Sequence, residues 1–341
     1  ETSSAFTALD HDRLSRLQSN NERTFTMRVI SADEIDAALD PRMLADALKA
    51  AFQTDIEVPV RHHHDIARPD TDATLLLMPA WTGPSAKESY VGTKIVTIYP
   101  ANGSKSLPSV MGTYLLIDGD SGAPLASLDG ARLTLWRTAA ASALASRYLA
   151  RPEASRLVMI GAGALAPFLI RAHCAESPID DVALWNHRPE RAEQVARELK
   201  AQGLPVRAIT DLEAAIREAD IVSSATLSST ALIKGAWLKE GAHLDCVGAF
   251  KPSMRETDDV AITRASLFCD TRAGAMKEGG DYAQPLAASL ITSSDIKADL
   301  FDLSRGTHRG RAQSHEITMF KSVGTAIEDL AAAIAVWQRT K

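Results

Sequence analysis

The stretch Leu157-Val-Met-Ile-Gly-Ala-Gly-Ala-Leu-Ala-Pro-Phe168 runs an apolar segment straight into a glycine turn that opens a helix. Followed by a second strand at the right distance, that order marks a dinucleotide-binding βαβ unit. Gly161 permits the tight turn, Gly163 lets backbone approach a pyrophosphate, and Ala166 takes the third small position, so the helix N-terminus presents N–H groups to phosphate. Ala162 and Ala164 complete the turn. The helix reads to about Cys174, and a second apolar run, Val182–Trp185, follows. Where an NAD-binding strand ends in an acidic residue for the ribose 2′-hydroxyl, this chain has Asn186-His187-Arg188, with Arg191 one turn on. Arginine accommodates a 2′-phosphate, so NADP(H) is expected over NAD(H).

Downstream, helices at Glu190–Ala201 and Leu212–Glu218 alternate with strands near Val206–Ala208, Asp220–Ala225 and His243–Val247, which predicts a parallel, doubly wound sheet of the α/β class. Upstream, Ser31-Ala-Asp-Glu34 carries a capping pattern for an amphipathic helix. A second helix follows from about Pro41 to Phe52. Strands are expected at Leu75–Met78, Val91–Tyr99 and Gly112–Ile117, divided by Pro and Gly turns. An alanine-rich helix from Thr134 to Leu149 ends before Arg151-Pro152 and bridges the two parts. Ile317–Trp337 reads as one long amphipathic helix that returns to the first part. The expected division is a disordered leader over 1–26, an α+β domain over 27–135 with 313–341, and a nucleotide domain over 136–312.

With 341 residues, 45% of them hydrophobic, the chain has material for two cores. A net charge of −6 without a basic stripe offers no footprint for nucleic acid or an anionic membrane. No run of eighteen apolar residues and no basic-then-apolar signal order appear. Cys174, Cys246 and Cys269 are too few and too far apart for a disulfide framework or a paired zinc site. A cytoplasmic protein is expected.

Three cations are out of place for their surroundings. In Val91-Gly-Thr-Lys94-Ile-Val-Thr-Ile-Tyr99 both faces of the strand are largely apolar, so Lys94 is desolvated unless something pairs with it. The alternative is a lysine snorkelling from an edge strand. Arg137, in the first turn of a helix beginning at Thr134, opposes the macrodipole unless an anion sits nearby; otherwise it is a solvated helix arginine. Arg61 precedes His62-His63-His64 on an extended segment and suits a bidentate fork to a carboxylate. The three histidines have no carboxylate or cysteine at a recognised ligand spacing, so no metal is assigned.

Lys94 and Arg137 stand within motifs that occur in order: Val91–Pro100, Leu107-Pro-Ser-Val110, Ser127-Leu-Asp-Gly130 with Leu135–Ser142, the Gly161 loop, Val247-Gly-Ala249 and Met319–Asp329. From about Met27 to Trp337 the chain resembles the ornithine cyclodeaminase/mu-crystallin family. The resemblance implies a homodimer, with an N-terminal substrate and dimerisation domain, completed by the C-terminal helix, around an NAD(P)-binding Rossmann domain. By motif position it puts the family's carboxylate-binding arginine on Arg61, its active-site lysine on Lys94 and its second arginine on Arg137, which would bind anionic groups of substrate or cofactor. Ser109 falls near nicotinamide and substrate, and Ala225, Thr226, Val247, Ser322 and Gly324 fall on cofactor-lining positions.

One departure discriminates among members. Cyclodeaminases carry an aspartate shortly after Val-Gly, where this chain has Phe250. A phenyl ring accepts no hydrogen bond from an ammonium and assists no deprotonation. Reduction of a ready-made imine needs no such carboxylate, and Phe250 would pack against ring methylenes. The resemblance then implies NAD(P)H-dependent reduction of cyclic ketimines, Δ1-pyrroline-2-carboxylate to L-proline and Δ1-piperideine-2-carboxylate to L-pipecolate. Arg61 and Lys94 would grip the carboxylate; the proton on nitrogen would come from solvent, from Ser109 through water, or with the substrate. His187 stands where NADP-dependent members often have arginine, which leaves Arg188 or Arg191 to substitute and NAD(H) open as a second cofactor. Two alternatives stay open: cyclodeaminase or alanine dehydrogenase activity, and a non-catalytic, cofactor-loaded binding protein of mu-crystallin type.

Overall fold

The computed structural model describes residues 26–105 and 107–341, so the leader expected over 1–26 lies, but for its last residue, outside the described residues. The first part comprises β1 (Arg28–Ile30), α1 (Ala32–Ala38), α2 (Pro41–Gln53), β2 (Ile56–Glu57), β3 (His62–Ile66), β4 (Ala73–Thr82), β5 (Tyr90–Ile98), β6 (Val110–Asp118) and β7 (Pro124–Asp129). Ser31 and Glu34 close the expected capping box on α1, and Asp40 caps α2 with Pro41 at its start. The strands form one sheet in the order β1-β7-β6-β5-β4-β2, with β3 also on β4; all pairs are antiparallel except β1 with β7. Pro79 lies inside β4, yet β3 pairs with Ala73–Leu77 and β2 with Trp81–Thr82. The proline therefore sits in the gap between the two edge strands, where an N–H is not needed for the ladder.

Helix α3 (Gly130–Leu149) links the two parts. It starts four residues before the expected Thr134 because the Asp129 side chain accepts the Arg132 N–H at 2.8 Å and caps it. Arg137 thus lies in the second turn, not the first, and the macrodipole is no argument against it.

The second part follows as β8 (Arg156–Ile160), α4 (Ala166–Glu176), β9 (Asp181–Trp185), α5 (Pro189–Lys200), β10 (Val206–Ile209), α6 (Leu212–Glu218), β11 (Ile221–Ser224), β12 (His243–Cys246), α7 (Asp259–Arg264), β13 (Ser266–Cys269), α8 (Arg272–Glu278), α9 (Gly280–Ala287), β14 (Ile296–Asp299), α10 (Leu300–Arg305), β15 (Thr318–Lys321) and α11 (Ala326–Thr340). Its sheet is wholly parallel in the order β10-β9-β8-β11-β12-β15-β13-β14. A buried clasp ties α3 and α4 to β12: Ser142 donates to Asp245, and His173 bridges Ser146 and Asp245.

The expectation of one helix over Ile317–Trp337 is corrected. Thr318–Lys321 is a fully buried strand inserted between β12 and β13, and the helix begins only at Ala326. Gly324, at φ +81°, breaks the chain between them. The part of 313–341 that returns to the first sheet is accordingly α11 alone, because β15 belongs to the parallel sheet. Alanines on α11 and α3 let these helices approach closely, and α11 packs on α2, α3 and the inner face of β4, β5 and β6.

Candidate functional site

At the C-terminal end of β8 the backbone turns at Gly161, whose φ of +102° and closeness to the Ala225 carbonyl exclude a side chain. A Cβ at Gly163 would meet nothing within 4 Å, so this turn opens onto free space. No side chain caps α4, and its first turn is closed by backbone instead: the Ala166 N–H donates to the Gly163 carbonyl, those of Phe168 and Leu169 to the Leu165 carbonyl, and Pro167 has none. The adjoining cavity, about 700 Å³, is lined by Gly161, Ala162, Gly163, Asn186, His187, Arg188, Arg191, Ala225 and Thr226. Ala164 is exposed in the turn, and Val247 is buried and outside the cavity lining. Asn186 Oδ1 accepts the Ala162 N–H at 3.3 Å, and Arg191 Nε donates to the Ala162 carbonyl at 3.3 Å, so both brace the turn. His187 and Arg188 are exposed, and the carboxylate nearest to them in the lining is Glu190, in the first turn of α5. A glycine turn that opens onto free space, with two arginines in the lining of the adjoining cavity, fits a dinucleotide.

Lys94 is 3% exposed on β5, between β4 and β6, so the edge-strand alternative is excluded. Its partner comes from the far end of the chain: Nζ lies 2.9 and 2.8 Å from the two carboxylate oxygens of Asp329 on α11. Burial pulls the amine down to about 8, against the pull of Asp329 and with the help of Arg137 and Arg61 nearby. Arg137, also buried, donates through Nε to the same Asp329 at 3.1 Å and through Nη1 to Glu328 at 2.8 Å. Burial raises Glu328 to about 8 against the pull of Arg137, and its Oε1 has no hydrogen-bond partner among the described residues. Gly324 joins the group. Its N–H donates to buried Asp270, its carbonyl accepts Arg61 Nη2 at 2.9 Å, and the Arg137 guanidinium occupies the space a Cβ would take. Ser322, assigned to the cofactor by position, spends its hydroxyl on Asp270 at 3.2 Å.

Arg61 alone of the three cations lines a cavity. That cavity, about 930 Å³, has an apolar wall of Ile56, Val58, Val60, Met78, Phe250 and Phe301, and Gly324 and Thr325 form part of it. Phe250 is 42% exposed there, on a loop held by a second buried cluster: Lys321 contacts the Gly248 carbonyl and Asp281, while Glu256 accepts from Thr226 N, Thr226 Oγ1 and Ser224. Arg61 already carries a carboxylate, that of Glu278, 3.1 Å from Nη1. Ser109 stands apart at the head of β6, its carbonyl accepting the Tyr99 N–H, and is in the lining of neither cavity.

The structure thus brings Lys94 and Arg137 together on Asp329, with Gly324 beside Arg137 and Arg61 on the Gly324 carbonyl, and gathers the Gly161 loop with Asn186, His187, Arg188, Arg191 and Thr226 around a separate cradle. Sequence reasoning missed Glu328, Asp329, Asp270 and Glu278. A signal for the first two existed: adjacent carboxylates between Ile327 and Leu330 in an alanine-rich helix are as costly to bury unpaired as Lys94 and Arg137.

The family model described as ornithine cyclodeaminase/mu-crystallin matches residues 26–341. The chain is 40% identical over 240 residues to a Delta(1)-pyrroline-2-carboxylate reductase of Paracoccus denitrificans, covering 70% of this chain and 76% of that one. It is 33% identical over 316 residues to ketimine reductase mu-crystallin of Rattus norvegicus, covering 90% and 96%. A Delta(1)-pyrroline-2-carboxylate reductase of Thermococcus litoralis, solved in complex with NADH and L-proline, superposes with a TM-score of 0.84 at 31% identity over 92% of this chain and 97% of that one.

Proposed function

The chain belongs to the ornithine cyclodeaminase/mu-crystallin family, and on that premise we propose that it is an NAD(P)H-dependent reductase of cyclic 2-carboxy ketimines, forming L-proline from Δ1-pyrroline-2-carboxylate and L-pipecolate from the six-membered homologue. The observation that carries this reading is Arg61, open to an apolar-walled cavity and backed by buried Lys94 and Arg137, in a chain with an intact dinucleotide cradle. Bound nicotinamide supplies the hydride. Arg61 clamps the carboxylate, and Lys94, charged below about pH 8, adds positive potential behind it. Phe250 covers the ring methylenes and keeps water off the reacting carbon. Its side chain cannot do the work of a base, which disfavours ornithine cyclisation.

The cofactor reading is NADPH over NADH, with Arg188 and Arg191 on the 2′-phosphate and Ala225 on the cavity wall, supported from outside the lining by Val247 and Ser322. Residues 27–135 with α11 serve substrate binding and dimerisation, and 136–312 with β15 bind the nucleotide. The outer face of the antiparallel sheet carries Leu77, Trp81, Val91, Ile95, Leu115 and Ile117, all only half-buried, and a second copy of the chain covers it in a homodimer. Among the described residues no helix is long and apolar enough to cross a membrane. The free cysteines suit the reducing cytoplasm.

Loss of nicotinamide absorbance with each cyclic imine, NADPH and NADH tested in parallel, checks substrate and cofactor together. Ammonia released from ornithine without net cofactor oxidation would replace the reading with a cyclodeaminase. Cofactor binding without turnover would replace it with a binding protein.

A further inference from the structure

We propose that Glu278 recognises the positively charged nitrogen of the substrate, exchanging its ion pair with Arg61 for one with the C=N–H⁺ of the bound iminium; this rests on the cyclic-ketimine reading above. Glu278 ends α8, and its side chain is 26% exposed on the wall of the 930 Å³ cavity. Among the residues lining that cavity it is the one acid, against Arg61, His63, Lys251 and Lys277. The neighbouring carboxylates are committed elsewhere: Asp329 to Lys94 and Arg137, Asp270 to backbone N–H groups and Ser322.

Arg61 is held from behind by the Gly324 carbonyl at 2.9 Å, so the guanidinium stays in place when Glu278 leaves it. A substrate carboxylate arriving at Nη1 displaces Glu278 from one end of the ligand and leaves it beside the other. In a 2-carboxy cyclic imine the nitrogen is bonded to the very carbon that bears the carboxylate. The Arg61–Glu278 pair is thus the charge complement of a zwitterion, and binding turns one ion pair into two. Glu278 exchanges no atom in the reaction. It favours the protonated imine; the C2–H bond then forms with the electron pair delivered by the reduced nicotinamide, which is oxidised, the C=N π pair becomes the nitrogen lone pair, and water supplies the second proton of the product ammonium.

The test uses the NADP⁺-loaded protein and two ligands of similar ring size, titrated calorimetrically. L-Proline has a carboxylate and an ammonium; pyrrole-2-carboxylate has the carboxylate and a neutral N–H. Glu278→Gln should weaken L-proline by ~10-fold or more, the loss expected for one charge-assisted hydrogen bond, while pyrrole-2-carboxylate binds equally well or tighter because Arg61 has lost its competitor. Glu278→Asp, which keeps the charge, should recover most of the L-proline affinity. Equal weakening of both ligands would reduce Glu278 to a residue that positions Arg61, and no change in either would make it a bystander; both results overturn the proposal. Wild-type protein that binds neither ligand would sink the ketimine reading itself, and this proposal with it.

Discussion

Replacing Asp329 by Asn tests whether the carboxylate on α11 keeps Lys94 charged. The lysine stands at about 8, with its amine 2.8–2.9 Å from both Asp329 oxygens. At roughly 4 Å between charge centres and an effective dielectric of about 20, that pair is worth about 4 kcal/mol, or about three pH units. Without it the amine titrates near pH 5 and is ~99% neutral at pH 7. The ammonium is the acid-side form, and because burial lowers it from the ordinary 10.5, the positive charge proposed to support carboxylate binding fades as pH rises through about 8. Wild-type kcat/KM for the cyclic imine should therefore fall on an alkaline limb near 8. In D329N the limb should move to near 5, with kcat/KM at pH 7 down ~100-fold and NADPH affinity little changed. Breaking a buried pair also costs about 3–5 kcal/mol of stability, so melting is followed alongside and kinetics are run well below the transition. A D329N profile whose limb stays near 8 would refute the assignment of that limb to Lys94. The same depressed value sets the sign of the stability effect: between about 8 and 10.5 the unfolded chain binds a proton the folded chain does not, so Lys94 makes stability rise with pH there.

Further variants probe the other parts of the site. Arg61→Ala and Lys94→Ala should each lower kcat/KM by ~10²-fold or more with NADPH binding kept; near-wild-type turnover in either removes that residue from the mechanism. Gly324→Ala forces a side chain onto φ +81° and to 2.2 Å from Arg137 Nη1, so a loss of about 1–3 kcal/mol is expected in denaturant melts, and an unchanged midpoint would contradict the packing described. Arg188→Ala combined with Arg191→Ala should raise the Kd of NADPH ~10-fold or more while that of NADH moves much less. Equal losses for both cofactors would mean that neither guanidinium reads the 2′-phosphate.

The nucleotide half was legible because local signals decide it: a strand, a glycine turn and a helix in immediate succession leave little choice of fold. Lys94 and Arg61 were legible as anomalies, charges whose apolar neighbours or extended setting asked for a partner. The partners themselves were not, since Asp329 lies 235 residues from Lys94 and 192 from Arg137, and no local periodicity reports such a pairing. Helical spacing in Ile317–Trp337 concealed β15, because Thr-Met-Phe-Lys321 is short and apolar enough to read either way. The Arg137 argument failed through a boundary: Asp129, the last residue of β7 and the cap of α3, moved the helix start by four residues. Glu278 carried no visible signal, since an acid at the end of a short helix is ordinary until the tertiary fold turns it toward an arginine.

The dependence of Lys94 and Arg137 on α11 has a consequence for biosynthesis. Both cations leave the ribosome some 190 to 235 residues ahead of the acids that neutralise them, which at about 5–20 residues per second is a wait of roughly ten seconds to a minute. Over that interval Lys94 on β5 and Arg137 on α3 lack the carboxylate that pairs with both, and burying them early would strand two cations in a dry environment. The charge cluster on Asp329 is therefore complete only once α11 has been made, which places it among the later features of this sequence to form.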